Sequence, residues 1–121
     1  MDLEIITIAD RGNDNERLIM KAIRKCSLNE YIVLDTTYDE KGIASNKYRH
    51  VFIMPDIEVN DGDFVWLYTH KGKYHTHNNN SKTITHNIYW GLGIHVWNND
   101  GDKAYLIHYD DWESVVSKGE L

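Results

Sequence analysis

Proline is almost missing from these 121 residues, with Pro55 standing alone. Proline-rich tracts mark linkers and disordered spacers, so nothing reads as a boundary and residues 1–121 are expected to form one domain. Cysteine is equally scarce. The single Cys26 has no partner for an internal disulfide, so the fold does not lean on oxidation. No run approaches the ~20 apolar residues that span a bilayer. The opening MDLEIITIAD is acidic and lacks a basic stretch ahead of its apolar one, unlike a signal peptide. A cytoplasmic location without a membrane partner is the expectation. Basic charge is also short: 13 Lys and Arg face 19 Asp and Glu, for a net charge of −6. Non-specific nucleic-acid binding is driven by an excess of Lys and Arg over phosphate, which makes nucleic acid an unfavoured partner.

What remains is an ordinary globular composition, 41% hydrophobic and 26% charged. A chain of this length buries roughly two-thirds of its unfolded surface in one core. Its aromatic residues are eight Tyr, four Trp and only two Phe, so most carry a polar handle suited to half-exposed sheet positions. Alternating or β-rich runs recur at 3–9, 17–23, 31–37, 49–54, 64–70, 83–89, 103–109 and 111–116. Between them lie turns rich in Gly, Asn and Asp at 10–15, 39–46, 60–63, 72–82 and 98–102. This pattern predicts an all-β sandwich or barrel.

One segment resists the scheme. In NDNERLIMKAIRKC, Leu18, Ile19, Ala22, Ile23 and Cys26 share a helical face, with an Asn or Asp to cap it. Read as a strand, the same residues turn Leu18, Met20 and Ala22 inward and Arg17, Lys21 and Lys25 outward. Periodicity alone leans to the helix. The patterned stretch HVWNNDGDKAYLIHYD raises a different question, whether its acidic cluster is a calcium loop. If Gly101 takes the sixth position of an EF-hand loop, Val96 falls at the first and Ile107 at the twelfth, where oxygen ligands are needed. The cluster reads as a turn.

The order of features resembles the lamin tail domain family, also called the intermediate-filament tail domain. SLNEYIVLD at 27–35 is similar to the family's small-residue turn, aromatic and alternating apolar run ending in Asp. YRHVFIMP at 48–55 resembles its strand end, and DIEVNDGDFVWLYTHKG at 56–72 resembles its glycine turn feeding an apolar strand. The most specific block is IYWGLGIHVWNNDGDKAYLIHYD at 88–110, with its Trp-Asn-Asn-x-Gly-Asp entry. The resemblance implies an immunoglobulin-like β-sandwich of the lamin-tail type. It implies a strand over ERLIMKA, and a structural role for Trp97 and the turn at 98–102. Two departures stand out: Ala22 and Ile23 occupy the place where the family often has Asn, and KYHTHNNNSK at 73–82 is long and rich in histidine.

Seven histidines invite a metal reading, in which His75 and His77 share one strand face while His70 from the strand before and His86 from the next converge on them. The flanking Asn78, Asn79 and Asn80 favour a polar hairpin tip instead. Catalysis finds no frame: the serines lack a nucleophile elbow, and Gly91-Leu92-Gly93 lacks the Lys and helix of a phosphate loop. No enzymatic activity and no cofactor are expected. The more informative feature is the run Phe64-Val-Trp66-Leu-Tyr68, because both of its faces are apolar while a sandwich strand buries one. Phe64, Trp66 and Tyr68 are therefore candidate binding residues. The expected core includes Leu18, Met20, Tyr31, Val33, Phe52, Val65, Leu67, Trp97 and Leu106. Together these point to a non-catalytic module that binds a protein partner or self-associates. The alternative is a small-ligand binder, for carbohydrate through Trp66 and Tyr68 or for metal through His75 and His77. A cryptic hydrolase ranks last.

Overall fold

The segment open between helix and strand is a strand. In the computed structural model, which describes residues 1–38, 44–97 and 101–119, Arg17–Ala22 buries Leu18, Met20 and Ala22 and leaves Arg17, Ile19 and Lys21 half-covered on the other side. Helix propensities differ by only a few tenths of a kcal/mol per residue. Burying three apolar side chains against a neighbouring sheet is worth about 1.5–3 kcal/mol for each of the larger two. Tertiary packing therefore outweighs the helical periodicity.

The strands are β1 (Leu3–Ala9), β2 (Arg17–Ala22), β3 (Cys26–Ser27), β4 (Tyr31–Tyr38), β5 (Ala44–Ile53), β6 (Glu58–Val59), β7 (Phe64–Tyr68), β8 (His75–Asn78), β9 (Ile84–Tyr89) and β10 (Lys103–His108). The architecture is all-β. One sheet has five strands in the order β1-β2-β7-β9-β8, and a second has three in the order β10-β4-β5. The short β3 and β6 pair with each other. Pairing is antiparallel except between β7 and β9, because the chain leaving β7 reaches the far side of β9, runs as β8 and turns back. Between the sheets lies one core. Leu3, Leu18, Met20, Val65, Leu67 and Ile88 come from the larger sheet, Tyr31 and Val33 from the smaller, and Trp97 from the chain approaching β10. Phe52 and Leu106 pack against it partly buried.

Two expectations need correction. Residues 111–116 form no strand; 111–119 carry no regular structure and pair with nothing among the described residues. Trp and Val suit a pleated surface, but a strand exists only where a partner edge accepts its hydrogen bonds. Conversely, His75–Asn78 lies inside what reads as a loop and is an edge strand paired with β9. Its tip is tied by Asn79, whose side-chain oxygen accepts the Ser81 and Thr83 N–H groups and whose amide donates to the Thr83 and Thr85 hydroxyls. At the expected turn 60–63, Asp63 N–H donates to the Asn60 carbonyl and Gly62 adopts φ 89°, a left-handed conformation that favours glycine. Gly101 does the same at φ 91°, while 39–43 and 98–100, within the other expected turns, lie outside the described residues. No helix among the described residues is long and apolar enough to cross a membrane.

Candidate interaction surfaces

Strand register sorts Phe64, Trp66 and Tyr68 from their neighbours. Val65, Leu67 and Thr69 face the core, and the aromatic set faces outward, in rows with Thr85, Asn87 and Tyr89 of β9. The set is half-buried, and the chain itself covers it. The Arg17 guanidinium lies 4.6 Å from the Trp66 ring and 5.8 Å from Tyr68, held by an ion pair of 2.6 Å to Asp10. Lys21 stands over Phe64 at 5.7 Å. Tyr68 and Tyr89 stack at 4.7 Å, and the Tyr68 hydroxyl donates to Asn87 Oδ1 at 3.1 Å. Burial pushes the Tyr68 hydroxyl up against the opposing pull of Arg17. The rings thus lie against one another and beneath these cations.

Of the histidines in the metal reading, His70, His75 and His77 join the same face without forming a metal cage, and His86 is bound to Asp63 and Tyr74. His75 and His77 alternate on β8 opposite Asn87 and Thr85. His77 Nδ1 is 2.9 Å from Asn87 Nδ2, His75 Nδ1 is 3.0 Å from the Lys73 carbonyl, and His70 packs edge-on against Tyr68 and Tyr89. Among the described residues no three His, Cys, Asp or Glu side chains cluster as a metal would need.

A second surface had the same signal in the sequence, and sequence reasoning missed it. In the smaller sheet, Val33, Phe52 and Leu106 share the inward row, so the intervening rows face outward. These outward rows are Ile107-Ile32-Ile53 and Tyr105-Leu34-Val51. All six outward side chains are apolar or aromatic, with Val51, Ile53 and Ile107 exposed by 53%, 66% and 41%. An antiparallel sheet with one solvated face normally alternates apolar inward with polar outward. Here YIVL, VFIM and AYLI are apolar on both faces, as the run at 64–68 is. Beyond the sheet, Trp112, Val115 and Val116 are exposed by 71%, 93% and 77%.

Two buried carboxylates organise the ends of the larger sheet. Glu16 takes the Gly12 N–H on one oxygen at 2.9 Å and the Val96 and Trp97 N–H groups on the other at 2.8 and 3.3 Å. It thereby ties the chain before β10 to the β1–β2 turn. Asp63 accepts from Asn60 N–H, Ile84 N–H and His86 Nε2 at 3.0, 3.1 and 3.0 Å. Burial alone would raise the Asp63 carboxyl, but these donors outweigh it and hold the group below its ordinary range. On its other side His86 Nδ1 lies 2.9 Å from the Tyr74 hydroxyl, so the ring bridges Asp63 and Tyr74. Burial and the nearby Asp63 charge raise the Tyr74 hydroxyl, which keeps it a phenol and a poor nucleophile. The Cys26 thiol is raised as well, first by burial and then by Asp2 and Glu30.

No protein-family profile, curated protein or solved structure matches the chain. The function therefore has to be read from the surfaces just described.

Proposed function

We propose that the chain is a non-catalytic protein-interaction module of the lamin-tail type, an immunoglobulin-like sandwich that docks a protein partner on the outer face of β4, β5 and β10. The observation that carries this reading is the outward row pair Ile107-Ile32-Ile53 and Tyr105-Leu34-Val51, where a solvated sheet would carry polar residues. A net charge of −6 and the absence of formal charge from those two rows favour a protein surface over a phosphate backbone. The lamin-tail assignment rests on the sequence blocks at 27–35, 48–72 and 88–110, and the buried Trp97 agrees with it. A cytoplasmic location belongs to the same reading.

Between the two candidate surfaces, the aliphatic one is favoured because Val51, Ile53 and Ile107 stand exposed on it, whereas the aromatic set is half-buried beneath Arg17 and Lys21. The test is site-specific photocrosslinking in cells, with a photoreactive residue placed at position 53, at 66 or at the exposed control position 73. A discrete protein adduct from position 53 and none from 73 is the expected outcome. Adducts from 66 alone would move the interface to the aromatic face, and no adduct from 53 or 66 would overturn the module reading.

A further inference from the structure

Asp63, His86 and Tyr74 form a relay that belongs to neither candidate surface. His86 stands on the inward row of β9, in register with Val65 of β7, and Asp63 directly precedes β7; both are buried. Asp63 Oδ2 lies 3.0 Å from His86 Nε2. A carboxylate only accepts, so Nε2 carries the hydrogen of that bond, and in the neutral ring Nδ1 is left with its lone pair. The Tyr74 hydroxyl lies 2.9 Å from that nitrogen. Tyr74 comes just before β8, the edge strand whose Thr76 pairs with His86, and at this open edge it is 47% exposed.

A base beside a phenol changes what happens when an electron leaves. A phenol stripped of one electron is a strong acid, so its oxidation is favoured where a group stands ready to take the hydroxyl proton. Tyr68 and Tyr109 donate their hydroxyl hydrogens to Asn87 Oδ1 and the Asn29 carbonyl, and amide oxygens accept a hydrogen bond without keeping the proton. An imidazole nitrogen keeps it. At Tyr74 the proton has one hydrogen bond to cross, and the charge that the buried ring gains lies against the Asp63 carboxylate, which offsets it. Ionisation beforehand is no substitute, since burial and Asp63 hold the Tyr74 hydroxyl above the ordinary phenol range. Electron and proton therefore leave together.

We propose that Tyr74 is a redox-active tyrosine, oxidised by one-electron oxidants with His86 as proton acceptor, and that this makes it the preferred site of nitration by nitrogen dioxide. One nitrogen dioxide radical takes the electron and becomes nitrite, while the hydroxyl proton passes to His86 Nδ1 and leaves a neutral tyrosyl radical. A second nitrogen dioxide couples at the ring carbon next to the one bearing oxygen. The hydrogen on that carbon leaves as a proton, and the oxygen takes back the proton held by His86. The products are an ortho-nitrated tyrosine, nitrite and a proton. The half-exposed ring admits both radicals, and the base that serves it stays buried.

Brief exposure of the full chain to nitrogen dioxide made by radiolysis of nitrite, followed by peptide mapping by mass spectrometry, tests the site. Tyr74 is expected to carry most of the nitro groups. His86→Gln leaves a hydrogen-bond acceptor near the hydroxyl but no base, and should lower nitration of Tyr74 relative to Tyr109 by about tenfold or more. Near-UV circular dichroism checks the fold of the variant. Equal nitration of Tyr74 in the wild type and a folded His86→Gln chain would mean that exposure alone selects the residue, and would overturn the proposal. If the variant unfolds, the radical of the wild type decides the matter. Frozen in heavy water and measured by electron–nuclear double resonance, it should show an exchangeable deuteron bonded to the phenolic oxygen, with the whole signal lost in Tyr74→Phe. A radical without that deuteron, or one that persists in Tyr74→Phe, overturns the proposal as well.

Discussion

Replacing Asp63 by Asn removes one charge and keeps the shape, which makes it an exacting test of what that carboxylate does. The two oxygens accept three hydrogen bonds from groups that have no room to turn away, the N–H of Asn60, the N–H of Ile84 and the ring of His86. An asparagine has one acceptor oxygen, so at best it keeps two of these contacts and points its own donor at the third. A hydrogen bond to a charged group contributes about 1.5–3 kcal/mol, and a buried donor left unpaired costs about 1–3 kcal/mol. His86 can recover part of this by accepting from the new amide on Nε2 and donating to Tyr74 from Nδ1. The expected loss is about 2–4 kcal/mol, a large share of the 5–15 kcal/mol typical of a domain. Urea unfolding followed by tryptophan fluorescence measures it. The pH dependence carries the sharper content. Because the folded-state carboxyl lies below its ordinary value, its contribution is fully present above about pH 4, near the unfolded value. It is lost as the pH falls through the folded value. Wild type and variant should therefore converge toward acid. A loss under about 0.5 kcal/mol at neutral pH, or a difference that does not shrink on acidification, would refute this account of Asp63.

Three further outcomes follow from named contacts. Glu16→Ala strands the N–H groups of Gly12, Val96 and Trp97 and should cost about 3 kcal/mol or more, with hydrogen exchange rising first at 95–97; unchanged protection there would remove Glu16 as the tie. Gly72→Ala would drive a methyl into the Tyr89 ring, which stacking on Tyr68 keeps from yielding, so thermal unfolding should show a loss of about 1–3 kcal/mol, against none if the ring gives way. Zinc or nickel should leave the melting temperature where EDTA leaves it, since Asn87 and the Lys73 carbonyl occupy His77 Nδ1 and His75 Nδ1; a rise of several degrees, lost on His77→Ala, would restore the metal reading.

Alternation coincides with burial in 64–68, where Val65 and Leu67 are buried between half-buried Phe64, Trp66 and Tyr68, whereas 3–9, in which only Leu3 is buried, was legible from its β-branched residues and the Asp, Gly and Asn cluster that follows. The candidate binding run was legible only in part. That both its faces are apolar is visible in the letters, but Arg17 and Lys21, more than 40 positions away, are what cover one of them. The same double-apolar pattern in β4, β5 and β10 is equally visible. It gained meaning only when the register aligned three such strands and left Val51, Ile53 and Ile107 exposed on one face. Glu16 and Asp63 gave no signal, since an acidic residue beside a turn normally reads as solvated surface.

Composition and periodicity by themselves determined the all-β class, most of the strands, the inward set around Val33, Val65 and Leu67, and the turns at Gly62 and Gly101. These follow from local rules: side chains alternate along a strand, and tight turns need residues tolerant of a left-handed backbone. Tertiary structure alone decided that 17–22 is a strand, that 111–116 is not, that 75–78 is an edge strand, and which apolar face is covered and by what. Each of these depends on a partner distant in the chain, and hydrogen-bond pairing and burial are properties of the pair rather than of either segment.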